Sequence, residues 1–379
     1  MTDVQHFDIV IIGGGPAGGL AALAFATLGF SCAVVDAGDP AEMRGAAFDG
    51  RTSAISFASA RVFKRLGLWN RIAPGAEPIR DILVTDGRAK SRFSDGAVSS
   101  FFLHFDSREL GEGQPLGWIV ENRAIRDVLF DAIEAAENVA LFAPAKRAAT
   151  AFNPGEAIVD LADGRRLSAS LVVAADGRRS PLRAEAGIKT NDWRYNQTGI
   201  VATVAHERSD EGVAQELFLP SGPFAILPMT NNRSSLVWTE RADAAPAYMA
   251  LGDEQFRTEI ENRFGPYLGQ VTPAGPRWSY PLAFTLAQSY VAPRLALIGD
   301  AAHAIHPIAG QGYNLGIKDI AALADVLVEG RDVGLDIGAL TVLQNYQRWR
   351  RFDSAALALG TDVLNRLFSN DFGPLRLAR

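Results

Sequence analysis

The amino-acid sequence predicts an α/β fold, in which a doubly wound parallel sheet carries an inserted domain built on an antiparallel sheet. Three observations lead to this prediction. Buried-strand patterns that end in glycine or an acid occur near residues 8–19, 171–177 and 294–300, as parallel strands covered on both faces do. In addition, residues 198–240 alternate apolar and polar side chains between Gly-Pro and Asn-Asn turns. This alternation is typical of an antiparallel sheet with one solvated face.

Composition limits the classes of function that the chain can serve. It has 379 residues, 48% of them hydrophobic and 21% charged, which is enough for two domains with a sizeable core. The formal net charge of −6 argues against a protein built around nucleic-acid phosphates. The single cysteine, Cys32, excludes an internal disulfide and a CxxC metal site. Any redox chemistry would therefore need an organic cofactor.

A glycine-rich turn follows the first predicted strand. Residues 8–26 read DIVIIGGGPAGGLAALAFA, a buried strand, a turn and an alanine-rich helix. The spacing Gly13-x-Gly15-x-x-Gly18 supplies a tight turn, close approach to a pyrophosphate, and close packing of helix on strand. The second strand ends at Asp36, about 20 residues on, where a ribose hydroxyl needs an acceptor. Together these residues predict a site for a dinucleotide with an unphosphorylated adenosine ribose.

Two later segments bring in candidate polar residues. Residues 49–56 are a turn that contains Arg51, followed by a stretch that we predict to be helical as far as about Leu68. Arg51 is either a surface residue or a clamp for phosphate or substrate, because an arginine fork matches phosphate geometry. Residues 118–133 return to a helical pattern, with Asn122 and Arg123 at its start.

The second buried strand, near residues 171–175, ends in Asp176 and Gly177. Ser180 and Arg183 follow within one or two turns of chain. Ser180 lacks the context of a nucleophile elbow, so we interpret it as a turn residue.

The third predicted strand leads into a loop and a helix that we expect to form the centre of the functional site. Residues 295–298 are a short apolar run that Gly299 and Asp300 end, so that a carboxylate faces a ligand. The helix that follows has apolar residues at helical spacing from about residue 314 to residue 328.

The loop between that strand and helix contains Pro307, Gly310 and Gly312. Its backbone is partly rigid and partly free of Cβ atoms, which lets a flat ligand approach main-chain N–H groups closely. A helix that begins here aims its partly positive N-terminus at that ligand. An electron-rich ring that becomes anionic suits this place.

Other features have simpler interpretations. His303 and His306 invite a metal site, but two histidines without further ligands make a poor one, so no metal is expected. Trp278, Tyr280 and Phe284 either line an aromatic pocket or belong to the core. The C-terminal region, from about residue 344, predicts a helix with a basic patch, which packs on the first domain or contacts a membrane surface or a partner.

Three motifs stand in order and carry a resemblance. They are the Gly13 turn, the Asp176-Gly177 pair with Arg183, and the stretch from Gly299 to Asp319. The chain resembles, over nearly its whole length, the single-component flavin aromatic hydroxylases typified by para-hydroxybenzoate hydroxylase. Within that group, residues 49–55, 218–228 and 300–312 look most like the ubiquinone-biosynthesis hydroxylases, which oxidise a polyprenylated phenol.

The resemblance implies a glutathione-reductase-like Rossmann variant that binds FAD non-covalently, with an antiparallel-sheet substrate domain. Asp36 departs from the glutamate that is usual there, and either Asn122 or Arg123 takes the flavin-contacting position. Asp176 and Arg183 serve FAD or NAD(P)H. The implied cofactor-binding residues are Gly13, Gly15, Gly18, Asp36, Arg51, Arg123, Asp176, Gly299, Asp300, Gly310, Gly312 and Asn314. The implied flavin-positioning loop is Pro307, Gly310 and Gly312, with Tyr280 in the substrate pocket.

The reaction that the resemblance implies is reduction of FAD by NAD(P)H, addition of O2 to give a flavin C4a-hydroperoxide, and hydroxylation of an activated ring. Only one complete dinucleotide fold is visible, so NAD(P)H would lack a domain of its own. A polyprenyl tail would need an apolar channel, with Leu219, Phe224, Leu227 and Tyr280 as candidate lining. The alternatives are a hydroxylase of a small soluble aromatic and a flavoprotein that reduces isoprenoid double bonds.

Domain limits and partners complete the expectations. We assign residues 1–78, 118–182 and 282–340 to a discontinuous FAD-binding domain, and 79–117 and 183–281 to the substrate domain. Residues 341–379 form a C-terminal helical region. No signal peptide or membrane span is visible, so a cytoplasmic protein is expected, with peripheral contact to the inner membrane, contact with a ubiquinone-biosynthesis complex and homo-oligomerisation left open.

Overall fold

A computed structural model describes residues 4–45, 50–88, 97–111 and 113–369. Asp49, from one of the segments that carry the resemblance, and the last ten residues of the predicted C-terminal region lie outside the described residues. The strands are β1 Val4–Ile12, β2 Cys32–Val35, β3 Thr52–Ser56, β4 Ala76–Ile79, β5 Asp81–Arg88, β6 Ala97–Asp106, β7 Gly117–Glu121, β8 Val139–Phe142, β9 Arg147–Phe152, β10 Ala157–Leu161, β11 Arg166–Ala174, β12 Thr190–His206, β13 Val213–Leu219, β14 Gly222–Met229, β15 Arg233–Arg241, β16 Val271–Pro273, β17 Trp278–Ala287, β18 Val291–Ala292, β19 Leu295–Leu297 and β20 His303–Ala304. The helices are α1 Pro16–Thr27, α2 Pro40–Gly45, α3 Phe57–Arg65, α4 Trp69–Ile72, α5 Asn122–Ala135, α6 Pro181–Glu185, α7 Ala245–Met249, α8 Asp253–Phe264, α9 Gln311–Asp332 and α10 Leu340–Phe368.

The first sheet has the strand order β18-β19-β11-β1-β2-β8. β1 runs parallel to β2 and β11, and β19 runs parallel to β11. The central strands are apolar on both faces because helices cover both, and residues 9–12 of β1 are buried. This confirms the predicted doubly wound sheet and brings the ends of β1, β2, β11 and β19 to one edge.

The second sheet has the order β20-β17-β12-β15-β14-β13-β5-β6, with β16 beside β12. β13 and β5 run parallel, and the other neighbouring strands within the described part of this sheet run antiparallel. One face is a core covered by α7 and α8, in which Phe224, Trp238 and Ile260 are buried. The alternating pattern of the sequence therefore predicted this sheet correctly.

We call the opposite face of this sheet the inner face. Because paired residues in a ladder point to the same side, the strand register places its side chains in rows. Thr52 Oγ1 on β3 donates to Ser235 Oγ on the inner face at 3.2 Å, so this face is turned toward β3. The members of two central rows are Val84, Glu216, Ala225, Val237, Val201 and Trp278, and Phe218, Pro223, Thr239, Gly199 and Tyr280.

A small sheet, β3-β7-β4, corrects two predictions. Residues 52–56 were expected to belong to a turn and residues 118–121 to a helix, but they form β3 and β7, paired from Thr52 with Glu121 to Ser56 with Gly117. Short apolar runs do not distinguish strand from helix, and here tertiary pairing decides. Each of the two helices begins at the residue after its strand. α3 begins at Phe57, and the Oγ of the preceding Ser56 accepts a hydrogen bond from Ser59 N. α5 begins at Asn122.

Other element predictions agree with the structure. α10 occupies the C-terminal segment predicted to be helical, and α9, which begins at Gln311, contains the predicted helical spacing of residues 314–328. The predicted domain limit between residues 281 and 282 runs through β17, which belongs to the antiparallel sheet along its length. The division into two domains remains a prediction.

Candidate FAD and substrate site

The glycine turn after β1 is fixed by sterics. Gly13 has φ +105°, and its N–H donates to the carbonyl of Val35 at 2.8 Å. A Cβ on Gly13 would lie 2.4 Å from the carbonyl oxygen of Ala175, and one on Gly18 would lie 1.8 Å from that of Gly13. Only glycine fits at either position, because β1, α1 and the end of β11 meet there.

Gly15 stands in the opposite situation, because a Cβ there would have no atom within 4 Å. It is the N-cap of α1, so the free N–H groups of that helix point toward open space. Asp36 holds the same turn. Its carboxylate accepts from Gly14 N at 2.5 Å and from Gly38 N at 2.7 Å. This arrangement fits a pyrophosphate against the start of α1 and a ribose beside Asp36.

Asp300 follows β19 at the same edge. Its side chain is accessible, yet protein surrounds it on most sides, as at the bottom of a concave site. This desolvation raises the pKa of its carboxyl, and the positive charges of His303 and Arg178 oppose the rise. The preceding Gly299 has φ +57°, and its N–H donates to Asp319 Oδ2 at 2.9 Å. An accessible carboxyl in this position fits a polyol such as a ribityl chain.

The loop before α9 is held against β3. Gly310 has φ +62°, and a Cβ on it would lie 2.8 Å from the Cβ of Ala54. Asn314 is buried, and its amide donates to the carbonyl of Ala54 at 2.8 Å and accepts from Ser56 N at 2.9 Å. Asn314 thereby joins β3 to the first turn of α9. Its predicted contact with the cofactor remains a prediction.

The N-terminus of α9 is open like that of α1. A Cβ on Gly312 would have no atom within 4 Å, and Gly310 N donates to the carbonyl of Pro307 at 3.0 Å. The three residues of the predicted flavin-positioning loop are therefore adjacent in space. Their geometry leaves room for a flat ring above the free N–H groups of the helix.

A buried network that the sequence did not predict lies beneath this loop. Asp319 accepts from Gly299 N, contacts His303 Nε2 at 2.6 Å, and accepts from Arg350 Nε at 2.8 Å. Burial of the His303 ring opposes its protonation, but the charge and hydrogen bond of Asp319 outweigh burial and raise the pKa of His303. The network ties β19, α9 and α10 together. The sequence shows an acid at residue 319, but its partners Gly299, His303 and Arg350 are recognised only from the fold.

The second histidine, His306, has different neighbours from His303. His306 is buried, and its ring stands edge-on to that of Tyr195, with centroids 5.0 Å apart. Neither ring nitrogen has a hydrogen-bond partner within the described residues. Burial lowers the pKa of His306 to about 4, with the Asp362 carboxylate opposing.

The Asp176 segment adjoins the glycine turn. A Cβ on Gly13 would come within 3.1 Å of Asp176 N, and burial raises the pKa of the Asp176 carboxyl, opposed by hydrogen bonds from Ser180 and Leu182. Arg183 donates to the carbonyls of Ala301 and Arg178, both at 2.8 Å. Arg183 therefore supports the loop after β19. Ser180 caps α6 by accepting from Arg183 N, which confirms it as a turn residue.

Arg51 and the start of α5 meet. Asn122 N donates to the carbonyl of Arg51 at 3.0 Å, and Ser53 Oγ donates to Asn122 Oδ1 at 2.7 Å. Arg123 instead forms an ion pair with Glu121 at 2.6 Å. The structure places Asn122 nearer to the Arg51 segment, while the predicted cofactor contact of Arg123 stays a prediction.

The inner face closes the site opposite the helix N-termini. The Trp278 ring packs on Gly50, and the Tyr280 ring lies over Gly199. Burial raises the pKa of Tyr280, and the positive charge of Arg51 opposes the rise, so Arg51 lies near this tyrosine. Phe284 belongs to the core, stacked on Trp193 with ring centroids 3.8 Å apart.

Two of the predicted channel residues are wrong. Leu219 and Phe224 are buried in the cluster covered by α7 and α8, and Phe224 points away from the inner face. Leu227 lies on the inner face, packed in a cluster with Ile79 and Met229. The alternation of side chains identified the strands. It did not show which face of the antiparallel sheet is covered by α7 and α8 and which is the inner face turned toward β3.

Comparisons with known proteins agree with this geometry. The family described as FAD binding domain matches residues 6–332. The ubiquinone hydroxylase UbiL of Rhodospirillum rubrum is 47% identical over 372 residues, which are 98% of this chain and 84% of that protein. The 3-demethoxyubiquinol 3-hydroxylase of Escherichia coli is 36% identical over 377 residues, 99% of this chain and 93% of that protein.

Solved structures show the same fold. PqsL from Pseudomonas aeruginosa, described as a probable FAD-dependent monooxygenase, superposes with a TM-score of 0.80 at 22% identity, covering 97% of both chains. The p-nitrophenol 4-monooxygenase PnpA from Pseudomonas putida superposes with a TM-score of 0.78 at 20% identity, covering 99% of this chain and 92% of that one.

Proposed function

The chain belongs to the FAD binding domain family, and from this membership we propose that it hydroxylates the ring of a polyprenylated phenol in ubiquinone biosynthesis. It is an FAD-dependent aromatic-ring monooxygenase that uses NAD(P)H and O2. The observation that carries the proposal is the pair of open helix N-termini, at Gly15 and Gly312, with the inner face of an antiparallel sheet opposite the second. The N-terminus of α1 would hold phosphates, and the N-terminus of α9 would hold a ring that becomes anionic.

The residues of this chain would bind and orient the cofactor. Gly15 admits the pyrophosphate to the start of α1, Asp36 accepts from a ribose hydroxyl, and Asp300 accepts from the ribityl chain. When bound, FAD supplies the redox chemistry, taking electrons from NAD(P)H and passing one oxygen atom of O2 to the ring. The N–H groups of α9 at Gly312 stabilise negative charge on the reduced ring.

A polyprenyl tail needs apolar surface beside the ring site. A cavity of about 540 Å³ lies between α7 and the edge of β17, with Ala245, Pro246 and Met249 on one side and Ser279, Tyr280 and Pro281 on the other. It is an open depression whose accessible lining is more apolar than polar, rather than an enclosed pocket. Tyr280 lines this cavity, and the charge of Arg51 acts on its hydroxyl, so we place it between the tail and the ring.

The outer surface of α10 suits a peripheral contact with anionic lipid. Trp349, Phe352, Leu359 and Val363 share one side of the helix and are between 51% and 82% exposed. Arg348 and Arg351 are exposed beside them, while the nearby acids Asp353 and Asp362 are held in ion pairs with arginines of the same helix. Apolar side chains flanked by cations match a negatively charged membrane surface.

Within the described residues, no helix combines the length and hydropathy needed to cross a bilayer. The lipid contact is tested by flotation with vesicles that contain or lack anionic lipid. The double change Trp349→Ser and Phe352→Ser should abolish flotation with anionic vesicles and leave hydroxylation of a detergent-dispersed substrate unchanged. Unchanged flotation contradicts the contact, and a smaller oligomer on light scattering would instead identify this surface as a contact between copies.

The hydroxylation is tested with the purified, FAD-loaded protein. A polyprenylated phenol, NAD(P)H and ¹⁸O₂ should give a product that carries one labelled oxygen atom on the ring. Turnover of a bare phenol alone would favour a small soluble substrate. Reduction of the tail without labelled oxygen would favour the reductase alternative.

A further inference from the structure

Glu216 lies on the inner face, within the antiparallel sheet. On β13 it pairs with Ala225 of β14 and runs beside Val84 of β5. Its same-face neighbours along the strand are Ala214 and Phe218, both buried. A single carboxyl therefore stands among apolar side chains.

Comparable acids near this sheet have partners. Glu121 accepts from Arg123 and Arg233, and Glu240 accepts from an indole and a backbone N–H. Within the part of the chain that the structure describes, no hydrogen bond or ion pair involves the Glu216 carboxyl. A half-buried carboxyl without a partner lowers the stability of the fold. A ligand that hydrogen-bonds to it would offset that cost.

The protonation state follows from the surroundings. Burial raises the pKa of the Glu216 carboxyl to about 8. The charged and titratable groups on the neighbouring strands of the inner face include Asp86, one row along on β5, and Tyr280 across the sheet on β17. They also include Arg233 and Arg241 on β15, which form ion pairs with Glu121 and Asp243. At neutral pH the carboxyl is therefore mostly an acid, with one O–H to donate.

The position of Glu216 is also suited to a bound ring. Ser235, which contacts Thr52 beside Arg51, lies on β15, two strands across and two residues along the sheet from Glu216, which corresponds to roughly 12 Å. Ala225 and Val237 fill the inner face between β13 and β15 with small apolar surface. An aromatic ring lying over these two residues would have the cofactor loop on one side and Glu216 at its edge.

We propose that Glu216 is a substrate-binding residue whose O–H donates to an oxygen substituent of the phenolic ring and so determines which ring carbon faces the flavin. The proposal rests on the proposed function and names how that same site orients its substrate. A hydrogen bond in a pocket of low polarity gives strong selectivity, because the wrong orientation leaves the carboxyl unpaired.

The test compares Glu216→Ala and Glu216→Gln with wild type, using FAD-loaded protein and a polyprenylated phenol. The control is Glu211→Gln, an exposed carboxyl in the β12–β13 turn. Glu216→Ala should raise KM about 10-fold, release peroxide in place of product, and shift the hydroxylated ring position, while flavin content and the control stay unchanged. Glu216→Gln should keep KM within about 3-fold, because its amide also donates.

The pH profile separates donation from a merely structural role. The wild-type KM should rise as pH increases through about 8, since ionisation removes the O–H, and the Glu216→Gln profile should stay flat. The proposal is overturned if Glu216→Ala keeps the wild-type KM, the wild-type coupling of NAD(P)H oxidation to hydroxylation and the wild-type ring position. It is also overturned if the KM of Glu216→Gln rises with pH as that of wild type does. Turnover of the tailed phenol by wild type tests the proposed function separately.

Discussion

Packing around the first glycine turn leaves no spare volume, whereas the inner face of the antiparallel sheet keeps accessible and unpaired side chains. Gly13 and Gly18 are enclosed by backbone atoms, but on the inner face Tyr280 is 37% exposed and Glu216 has no partner within the described residues. The glycine turn, where we propose that the cofactor binds, is therefore defined by sterics, and the inner face, where we propose that the substrate binds, by strand register. A common cofactor requires one fixed cradle, while a face of a sheet can be changed one side chain at a time.

The largest expected effect comes from adding a side chain at the tightly packed glycine turn. Gly18→Ala should unfold the protein or lower its free energy of unfolding by more than about 4 kcal/mol, because its Cβ would lie 1.8 Å from a carbonyl oxygen. Gly15→Ala, at an open position of the same turn, should keep the stability of the apoprotein and weaken FAD binding. Denaturant unfolding and flavin titration measure the two effects. Equal stability of both variants would contradict the steric account.

The next effect concerns the network beneath the flavin loop. Asp319→Asn should lower the free energy of unfolding by about 3–5 kcal/mol, because it leaves the buried Arg350 and His303 without their anion. The control is Asp325→Asn, an exposed acid on the same helix. Chemical denaturation of the flavin-free forms measures the difference. A loss no larger than that of the control would show that the network does not hold the loop.

The smallest effect lies at the border between the two regions, where His306 meets Tyr195. Its folded-state pKa of about 4 is below the unfolded value, so the unfolded chain takes up a proton first as pH falls. Stability should decline by about 3 kcal/mol between pH 6.5 and pH 4. His306→Phe should remove that part of the decline and His6→Gln, an exposed control, should not. Unfolding curves of wild type and His306→Phe at pH 7 and at pH 4.5 test this. The prediction is contradicted if the two proteins differ in free energy of unfolding by the same amount at both pH values.

The same contrast explains what the sequence predicts. Gly13, Gly15, Gly18 and Asp36 were identified because short-range sterics and a fixed spacing determine a glycine turn. The doubly wound sheet follows from apolar runs that end at such turns.

The inner face was harder to predict, because its composition depends on which side of each strand meets the other sheet. Phe224 was expected in a channel and is core, whereas Glu216, eight residues earlier, was not singled out. The strand at residues 52–56 was not predicted, because its pairing with β7 involves residues more than sixty positions away. Long-range register is not visible in local periodicity.

The central claim is that the antiparallel side of the site is built for a ring that carries an isoprenoid tail. Coupled NAD(P)H oxidation, measured with a polyprenylated phenol and with the same phenol lacking the tail, tests it most directly. The account predicts a kcat/KM at least about 10-fold higher for the tailed compound, because only the tail can use binding energy remote from the reacting carbon. Equal kcat/KM for the two compounds would contradict the claim and identify the substrate as a small soluble aromatic.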